Sequence, residues 1–165
     1  MEWKELDSLF IAPSTIEGDP SPDISGMIGQ FAHGNEPSHH ILYLYALLGQ
    51  PHKTAERVRE VMKTQYRDTS DGLSGNEDMG QMSAWYILSA MGFYPVCPGS
   101  NEFALTTPVF EQVDLKLANG KTLTVIANNP DKNIYIDAVT FNGQPIDKNY
   151  ITYEQLMQGG TLAFT

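Results

Sequence analysis

The chain has 165 residues and a formal net charge of −10, so its surface repels phosphate groups and nucleic acid is not expected as a partner. Hydrophobic residues make up 41% of the sequence, which is enough for a folded core and argues against a disordered segment. No apolar run is long enough to span a bilayer, and the single cysteine, Cys97, excludes an intrachain disulfide.

Apolar residues recur at helical spacing in the first half of the chain. The pattern predicts a short helix over about Ile24 to Phe31, ahead of His33. One longer apolar stripe follows, formed by Ile41, Leu42, Tyr45 and Leu48. A second stripe, after the Gly49-Gln50-Pro51 connection, is formed by Val58, Val61 and Met62. These two stripes predict an antiparallel helix pair with a short connection.

A third helix is predicted from about Gly80 to Met91, with Gly92 as its C-cap. Beyond Gly99 the apolar residues alternate with polar ones, which is typical of strands. The predicted strands contain Val113 to Leu117, Leu123 to Ala127, Ile134 with Ile136 and Val139 to Phe141, and Thr161 to Thr165. Asn119-Gly120 and Asn142-Gly143 indicate tight hairpin turns between strands. The sequence therefore predicts an α+β fold, with helices over 1–95 and a small antiparallel β-sandwich over 96–165.

Two segments repeat the triplet Gly-Asn-Glu at predicted loop-to-helix junctions. They are HGNEPSHH, from His33 to His40, and GNEDMGQMSAWY, from Gly75 to Tyr86. Asn, Asp and Glu are ordinary capping and first-turn residues at a helix start. One such residue is enough for a cap, however, and each segment carries more. Ordinary capping and a chemical role therefore both remain open at this point.

Several kinds of catalytic site do not fit these residues. His33, His39 and His40 lack the spacing of zinc ligands. No Gly-x-Ser-x-Gly motif is present, and Cys97 has no predicted helix N-terminus to activate it. Paired carboxylates suit glycoside hydrolysis, and Asn and Glu oxygens suit calcium. Trp85 lies nearby as a possible sugar platform, although a tryptophan in a helix interior is more often a core residue.

The two motifs, together with MSAWY and GFYP, resemble the C-terminal part of the glycoside hydrolase family 92 exo-α-mannosidases. The resemblance covers nearly the whole chain. It implies that residues 1–95 are the C-terminal helices of a catalytic (α/α)6 barrel and that residues 96–165 are a β-sandwich truncated at its C-terminus. It also implies a calcium-dependent enzyme that hydrolyses terminal α-linked mannose with inversion, with α-1,2 as the expected linkage.

The resemblance also assigns roles to individual residues. Asp78 matches the general base. Asn76 matches a position that is often a second acidic residue, so its amide puts a two-carboxylate base in doubt. Asn35 and Glu36 match the segment expected to bind calcium, and His33, Glu77 and Gln81 are the expected sugar contacts. At the N-terminus of an inner barrel helix, Asp78 is expected to stay ionised, with an ordinary or lowered pKa suited to a base.

The family's general acid lies in an upstream Glu-Gly-Asn-Ala-Trp type segment that this chain does not contain. The fragment alone is therefore predicted to be inactive. Its expected ligands are calcium and a mannose-containing glycan, and surface left uncovered by truncation is expected to favour self-association. The resemblance implies a bacterial, secreted enzyme of glycan degradation, periplasmic or extracellular, although the fragment has no signal peptide.

A second interpretation is a non-catalytic carbohydrate-binding or structural domain. Its sugar-binding residues would be the aromatic side chains of the β half, Tyr135, Phe141, Tyr150 and Tyr153. Cross-strand packing explains such residues equally well. In either interpretation, the β half is expected to pack on the helices and brace them.

Overall fold

The computed structural model of the chain describes residues 3–19, residue 21 and residues 24–165. The fold combines helices and sheets. The helices are α1 (Trp3–Ile11), α2 (Leu44–Leu47), α3 (Pro51–Thr64), α4 (Gln81–Met91) and α5 (Tyr153–Gln158). Among the described residues, every helix is too short or too polar to serve as a transmembrane span.

The predicted helix over Ile24 to Phe31 is wrong. This stretch forms a small hairpin of β1 (Met27–Ile28) and β2 (Phe31–Ala32), in which Ile28 pairs with Phe31. Gly29 turns the chain with φ of 61° and lies against the backbone of α1, where a side chain would clash. Two-residue hairpin turns favour positive φ, and a glycine here opposes a helix.

The predicted helix pair is present, but its first member is shorter than expected. A 3-10 turn at Ile41–Tyr43 leads into α2, and α3 starts at Pro51 after a short connection. Thr54 ties the two helices together, because its hydroxyl donates to the Leu42 carbonyl at 2.9 Å and accepts from the Ala46 amide at 3.0 Å. This bond pair is fully buried. These bonds therefore fix the spacing of the helix pair.

Two sheets follow α4. The three-stranded sheet is antiparallel and has the order β3 (Phe93–Tyr94), β4 (Glu102–Leu105), β9 (Tyr150–Thr152). The five-stranded sheet has the order β5 (Gln112–Lys116), β6 (Thr122–Ala127), β10 (Gly160–Phe164), β7 (Val139–Phe141), β8 (Gln144–Pro145). Antiparallel pairing is confirmed for all the paired strands except β6 and β10. These two strands run parallel and are separated in the sequence by β7, β8, β9 and α5.

Both predicted hairpin turns in the β half are present. Asn119-Gly120 connects β5 to β6, and Asn142-Gly143 connects β7 to β8 with φ of 51° and 77°. Ile134 and Ile136 lie outside the strand predicted for them, which is limited to β7. The unpredicted helix α5 begins with a capping box, in which Thr152 and Gln155 exchange side-chain and backbone hydrogen bonds.

Two hydrophobic cores meet at α4. The helical core includes Phe10, Phe31, Tyr43, Tyr45, Val58, Val61 and Trp85. The β core includes Phe93, Leu123, Val125, Phe141, Ile151 and Leu162. Leu88 packs against both. The second half of α4 is thereby anchored in both cores.

Gly92 ends α4 in the left-handed region, with φ of 93°, and a Cβ there would lie 2.7 Å from Pro108 Cγ and 3.0 Å from the Thr106 carbonyl oxygen. We expect Gly92→Ala to lower the free energy of unfolding by more than about 2 kcal/mol, because backbone strain and overlap add. Gly49→Ala is the matched control, since Gly49 has φ of 74° and open space around it. It should cost about 1–2 kcal/mol. Equal losses in urea denaturation would contradict the close approach at Gly92.

Candidate active site

The two Gly-Asn-Glu motifs meet through their glycines. A Cβ on Gly75 would lie 3.0 Å from the carbonyl oxygen and 3.1 Å from the Cα of Gly34, and a Cβ on Gly34 would overlap the carbonyl oxygen of Ser74. Ser25 bridges both segments: its carbonyl accepts from the Gly34 amide at 3.0 Å, and its hydroxyl donates to the Ser74 carbonyl at 2.9 Å. Two segments about forty residues apart are thus held in backbone contact, which only glycine permits.

This contact forms a cavity of about 300 Å³. The cavity is lined by Ser25, Gly34, Asn35, Glu36, Gly75, Asn76 and Asp78. It therefore brings together the residues expected to act as general base and its partner, Asp78 and Asn76, and those expected to bind metal, Asn35 and Glu36. Ser25, Gly34 and Gly75 were not predicted as site residues. For Gly34 and Gly75, the signal in the sequence was the glycine that the two motifs share.

Asp78 is presented by a left-handed turn directly ahead of α4. Asp78, Met79 and Gly80 have φ of 48°, 59° and 92°. Successive non-glycine residues in this region are strained, and such strain collects at functional sites. The turn also leaves Met79 completely exposed. In this conformation the Asp78 side chain lines the cavity.

The pKa of Asp78 is shifted in the direction opposite to the expectation. The hydrogen bond between the carboxyl groups of Glu36 and Asp78 raises the pKa of Asp78, and desolvation and repulsion by Glu36 act in the same direction. The expected ordinary or lowered pKa is therefore wrong for this chain by itself. Two neighbouring carboxylates resist ionising together. A cation bound between them would reverse the shift.

Glu77 is directed back onto α4. Its carboxylate accepts from the Ser83 amide at 3.1 Å and from the Ser83 hydroxyl at 3.0 Å. The side chain thus satisfies donors in the first turn of the helix, as capping residues do. It does not line the cavity of about 300 Å³ formed by the two motifs. Its expected role as a sugar contact has no support from this placement.

Gln81 lies in a second cavity of about 580 Å³ that shares Glu36 with the first. Its lining consists of Glu36, Pro37, His39, His40, Gln81, Tyr94, Pro95, Val96 and Pro98. The Gln81 amide nitrogen bonds to His39 Nδ1 and to the Tyr94 hydroxyl, each at 3.0 Å. Gln81 is therefore placed where a ligand entering the second cavity would meet it.

The structure does not bring His33 to either cavity. Its side chain is fully buried, its ring stacks on that of His39 at 4.6 Å and meets the Trp85 ring edge-on at 4.5 Å. Burial lowers the pKa of His33 to about 3, helped by the nearby His39. A neutral, enclosed imidazole cannot bond a sugar hydroxyl in this arrangement. Trp85 is also fully buried, which confirms it as a core residue.

The donor set of the first cavity suits a hard cation but does not complete its coordination. Two carboxylates and two amides offer oxygen ligands of the kind that calcium prefers. Over the described residues, no group of three or more His, Cys, Asp or Glu side chains is placed to hold a metal ion. Since calcium takes about six to eight oxygens, backbone oxygens, water or another part of a longer protein would have to supply the rest.

The aromatic residues of the β half do not form a common platform. Phe141 is buried on β7, while Tyr150 lies on β9 in the other sheet. Tyr135 donates its hydroxyl to Glu56 on α3 at 2.6 Å. This arrangement gives the alternative of a sheet-face sugar site no support, and the Tyr135 bond helps to attach the β half to the helices.

The chain is similar over nearly its whole length to proteins of known family and structure. The model of the glycosyl hydrolase family 92 catalytic domain matches residues 3–165. A family 92 α-mannosidase from Bacteroides thetaiotaomicron, solved in complex with mannoimidazole, superposes with a TM-score of 0.90 and 42% identity over 98% of this chain. A family 92 inverting mannosidase from the same organism gives a TM-score of 0.79 and 43% identity over 99% of the chain.

A curated relative is the uncharacterised secreted glycosidase of Arthroderma benhamiae, which is 38% identical over 136 residues, or 80% of this chain. The match covers 18% of that glycosidase, and 21% and 23% of the two bacterial mannosidases. The chain therefore spans about a fifth of the length of these relatives.

The carboxyl pair predicts a pH-dependent effect of Glu36→Gln. The pKa of Asp78 is higher in the folded chain than its value of 3.8 in the unfolded chain. The contribution of Asp78 to stability is therefore lost as the pH rises from 3.8 through the pKa of the folded state. Removing the Glu36 charge should therefore stabilise the chain more at about pH 7 than at about pH 4. Urea denaturation at both pH values tests this, with Glu111→Gln as an exposed control. A pH-independent difference from wild type would contradict the pairing.

The burial of the histidines predicts that the fold loses stability at low pH, whereas the raised pKa of Asp78 costs stability at high pH. With the pKa of His33 at about 3 against 6.5 when unfolded, the unfolded chain takes the proton first, so stability falls as the pH drops below 6.5. His33 alone should contribute about 1.4 kcal/mol per pH unit at most. Between about pH 6 and pH 5, His33→Gln should flatten the pH dependence measured by urea denaturation, and exposed His52→Gln should not. An unchanged slope in His33→Gln would refute the neutral, buried state.

Proposed function

Because the chain belongs to glycosyl hydrolase family 92, we propose that it supplies the general-base side of the active site of a calcium-dependent, inverting exo-α-mannosidase. The observation that carries this proposal is the cavity in which Asn35, Glu36, Asn76 and Asp78 meet. A carboxylate at an open cavity, next to further oxygen ligands, fits the base side of an inverting glycosidase. The activity is proposed for a longer protein that contains this segment.

Inversion requires two proton transfers on opposite faces of the sugar. In the proposed reaction, Asp78 takes a proton from a water whose oxygen bonds to the anomeric carbon. The bond from that carbon to the leaving oxygen breaks, and a general acid outside this chain protonates the leaving oxygen. Asn76 has no charge to share the base role, so it is proposed to orient the water or Asp78 through its amide.

Asn35 and Glu36 are the residues proposed to hold calcium, with the other oxygens of the cavity beside them. When bound, the ion would supply positive charge and ligand positions for sugar hydroxyls. The same charge would lower the pKa of Asp78 from its raised value. Glu36 and Asp78 would then both stay ionised at neutral pH, which is the state that a general base needs.

The proposed substrate is a glycan that ends in α-linked mannose, with α-1,2 as the first linkage to test. The relative's complex with mannoimidazole supports a mannose-like ligand, and the name of the fungal relative supports secretion. Self-association of the chain by itself is also proposed. Met79 and Ile87, both strongly exposed next to α4 and on it, would lie in the contact.

The mannosidase proposal predicts that the chain alone is inactive and that a longer protein containing it depends on Asp78. The chain alone should release no mannose from α-1,2-mannobiose above background, because it lacks the proton donor. In a longer family 92 protein that contains this segment, Asp78→Asn should lower kcat by about 10²–10⁴-fold, the usual contribution of a general base. Asp131→Asn, at an exposed site in the β half, is the control. Near-normal kcat in Asp78→Asn, or full turnover by the chain alone, would contradict the proposal.

A further inference from the structure

The amide of Gln81 is fixed by two partners in the second cavity. Its nitrogen lies 3.0 Å from His39 Nδ1 and 3.0 Å from the Tyr94 hydroxyl. An amide nitrogen has two hydrogens to donate, and both are used here. The carbonyl oxygen Oε1 is left as the acceptor of this side chain. Which atom of the amide faces which partner therefore depends on the proton state of His39.

The proton state of His39 follows from its other nitrogen. His39 Nε2 lies 3.0 Å from the carbonyl oxygen of His33, which can only accept. Nε2 must therefore carry the proton, and in the neutral ring Nδ1 is an acceptor. Burial lowers the pKa of His39, which keeps the ring neutral. An acceptor at Nδ1 requires the NH₂ group of Gln81, so the opposite orientation of the amide is excluded.

A chain of hydrogen bonds continues from His39 through the core and ends at another residue of α4. The Tyr66 hydroxyl donates to the carbonyl of Met82 at 3.0 Å and so accepts from His33 Nε2 at 2.7 Å. Trp85 also donates to the His39 carbonyl at 3.2 Å. The path from Gln81 through His39, His33 and Tyr66 to Met82 starts and ends in the first turn of α4. It fixes the position and the angle of the His39 ring.

We propose that His39 is a positioning residue, whose Nδ1 sets the Gln81 amide so that Oε1 accepts from a sugar hydroxyl in the second cavity. Tyr94 accepts from Gln81 and so retains its own proton to donate to a second oxygen of the same ligand. Gln81 and Tyr94 then form an acceptor and donor pair that recognises vicinal hydroxyls. The sugar as ligand rests on the proposed function, whereas the orientation of the amide does not.

The orientation is tested without any ligand by ¹⁵N NMR of the imidazole nitrogens in the chain itself. We expect His39 to be protonated at Nε2 and unprotonated at Nδ1 at neutral pH. The carboxylate of a Gln81→Glu variant cannot donate, so Nδ1 should take up a proton and the ring should become doubly protonated. Gln144→Glu, which adds the same charge at an exposed position on β8, should leave the His39 signals unchanged.

A proton on Nδ1 in the wild-type chain would overturn the inference, and so would unchanged His39 signals in Gln81→Glu. A second readout uses a longer family 92 protein that contains this segment. His39→Leu should raise KM for α-1,2-mannobiose about tenfold with little change in kcat, since a ground-state contact is lost. His39→Asn places an amide oxygen near Nδ1 and should restore KM to within about threefold.

Equal KM values for His39→Asn and His39→Leu would overturn the positioning role, and a wild-type KM in Gln81→Met would overturn the sugar contact. Failure of the proposed function and failure of the proposed amide orientation can be told apart. A longer protein that releases no mannose would contradict the proposed function. The NMR signals of His39 would still decide the orientation of the amide.

Discussion

The contact between Gly34 and Gly75 is the constraint on which the rest of the site depends. Side chains at these positions would separate the two backbones, and the cavity lined by Asn35, Glu36 and Asp78 would open. The contact is short because Ser25 bonds to both segments. It places two motifs that are distant in the sequence at one end of α4. The buried path through His39 and His33 then holds the same two segments from below.

The electrostatic character of the site follows from that contact. Two carboxylates that face one cavity are unfavourable unless one is protonated or a cation lies between them. In the chain alone, the proximity of the Glu36 carboxylate raises the pKa of Asp78. Burial lowers the pKa of His33 and of His39, so neither of these two rings supplies a positive charge that would relieve it. The site is thus built to gain from an added positive charge, which fits the proposed calcium ion.

Local patterns in the sequence predicted the regular elements well. The helical stripe of α3, the C-cap at Gly92 and the turns at Asn119 and Asn142 each depend on residues close in the sequence. The failed helix near Ile24 was decided by packing of Gly29 against α1, a contact that no local pattern contains. The parallel pairing of β10 with β6 also depends on the path of the whole chain.

The site was predictable in part. Its two motifs were found because each carries more polar residues than a cap requires, and their meeting in one cavity agrees with that interpretation. The return of Glu77 to Ser83 is a contact across six residues, of the capping kind that the sequence left open. The left-handed turn at Asp78 was not predicted. The burial of His33 was not predictable, because it is set by three-dimensional neighbours. The raised pKa of Asp78 was missed for the same reason: it depends on Glu36, which is distant in the sequence.

The most direct measurement is a ¹³C NMR titration of the Asp78 carboxyl carbon with and without calcium. Without calcium, the pKa of Asp78 should lie above the ordinary value of 3.8, since Glu36 shares the cavity. Added calcium should lower that pKa, and the lowering should be lost in Asn35→Ala/Glu36→Ala. An ordinary pKa that calcium leaves unchanged would show that the two carboxylates do not meet at one cation site.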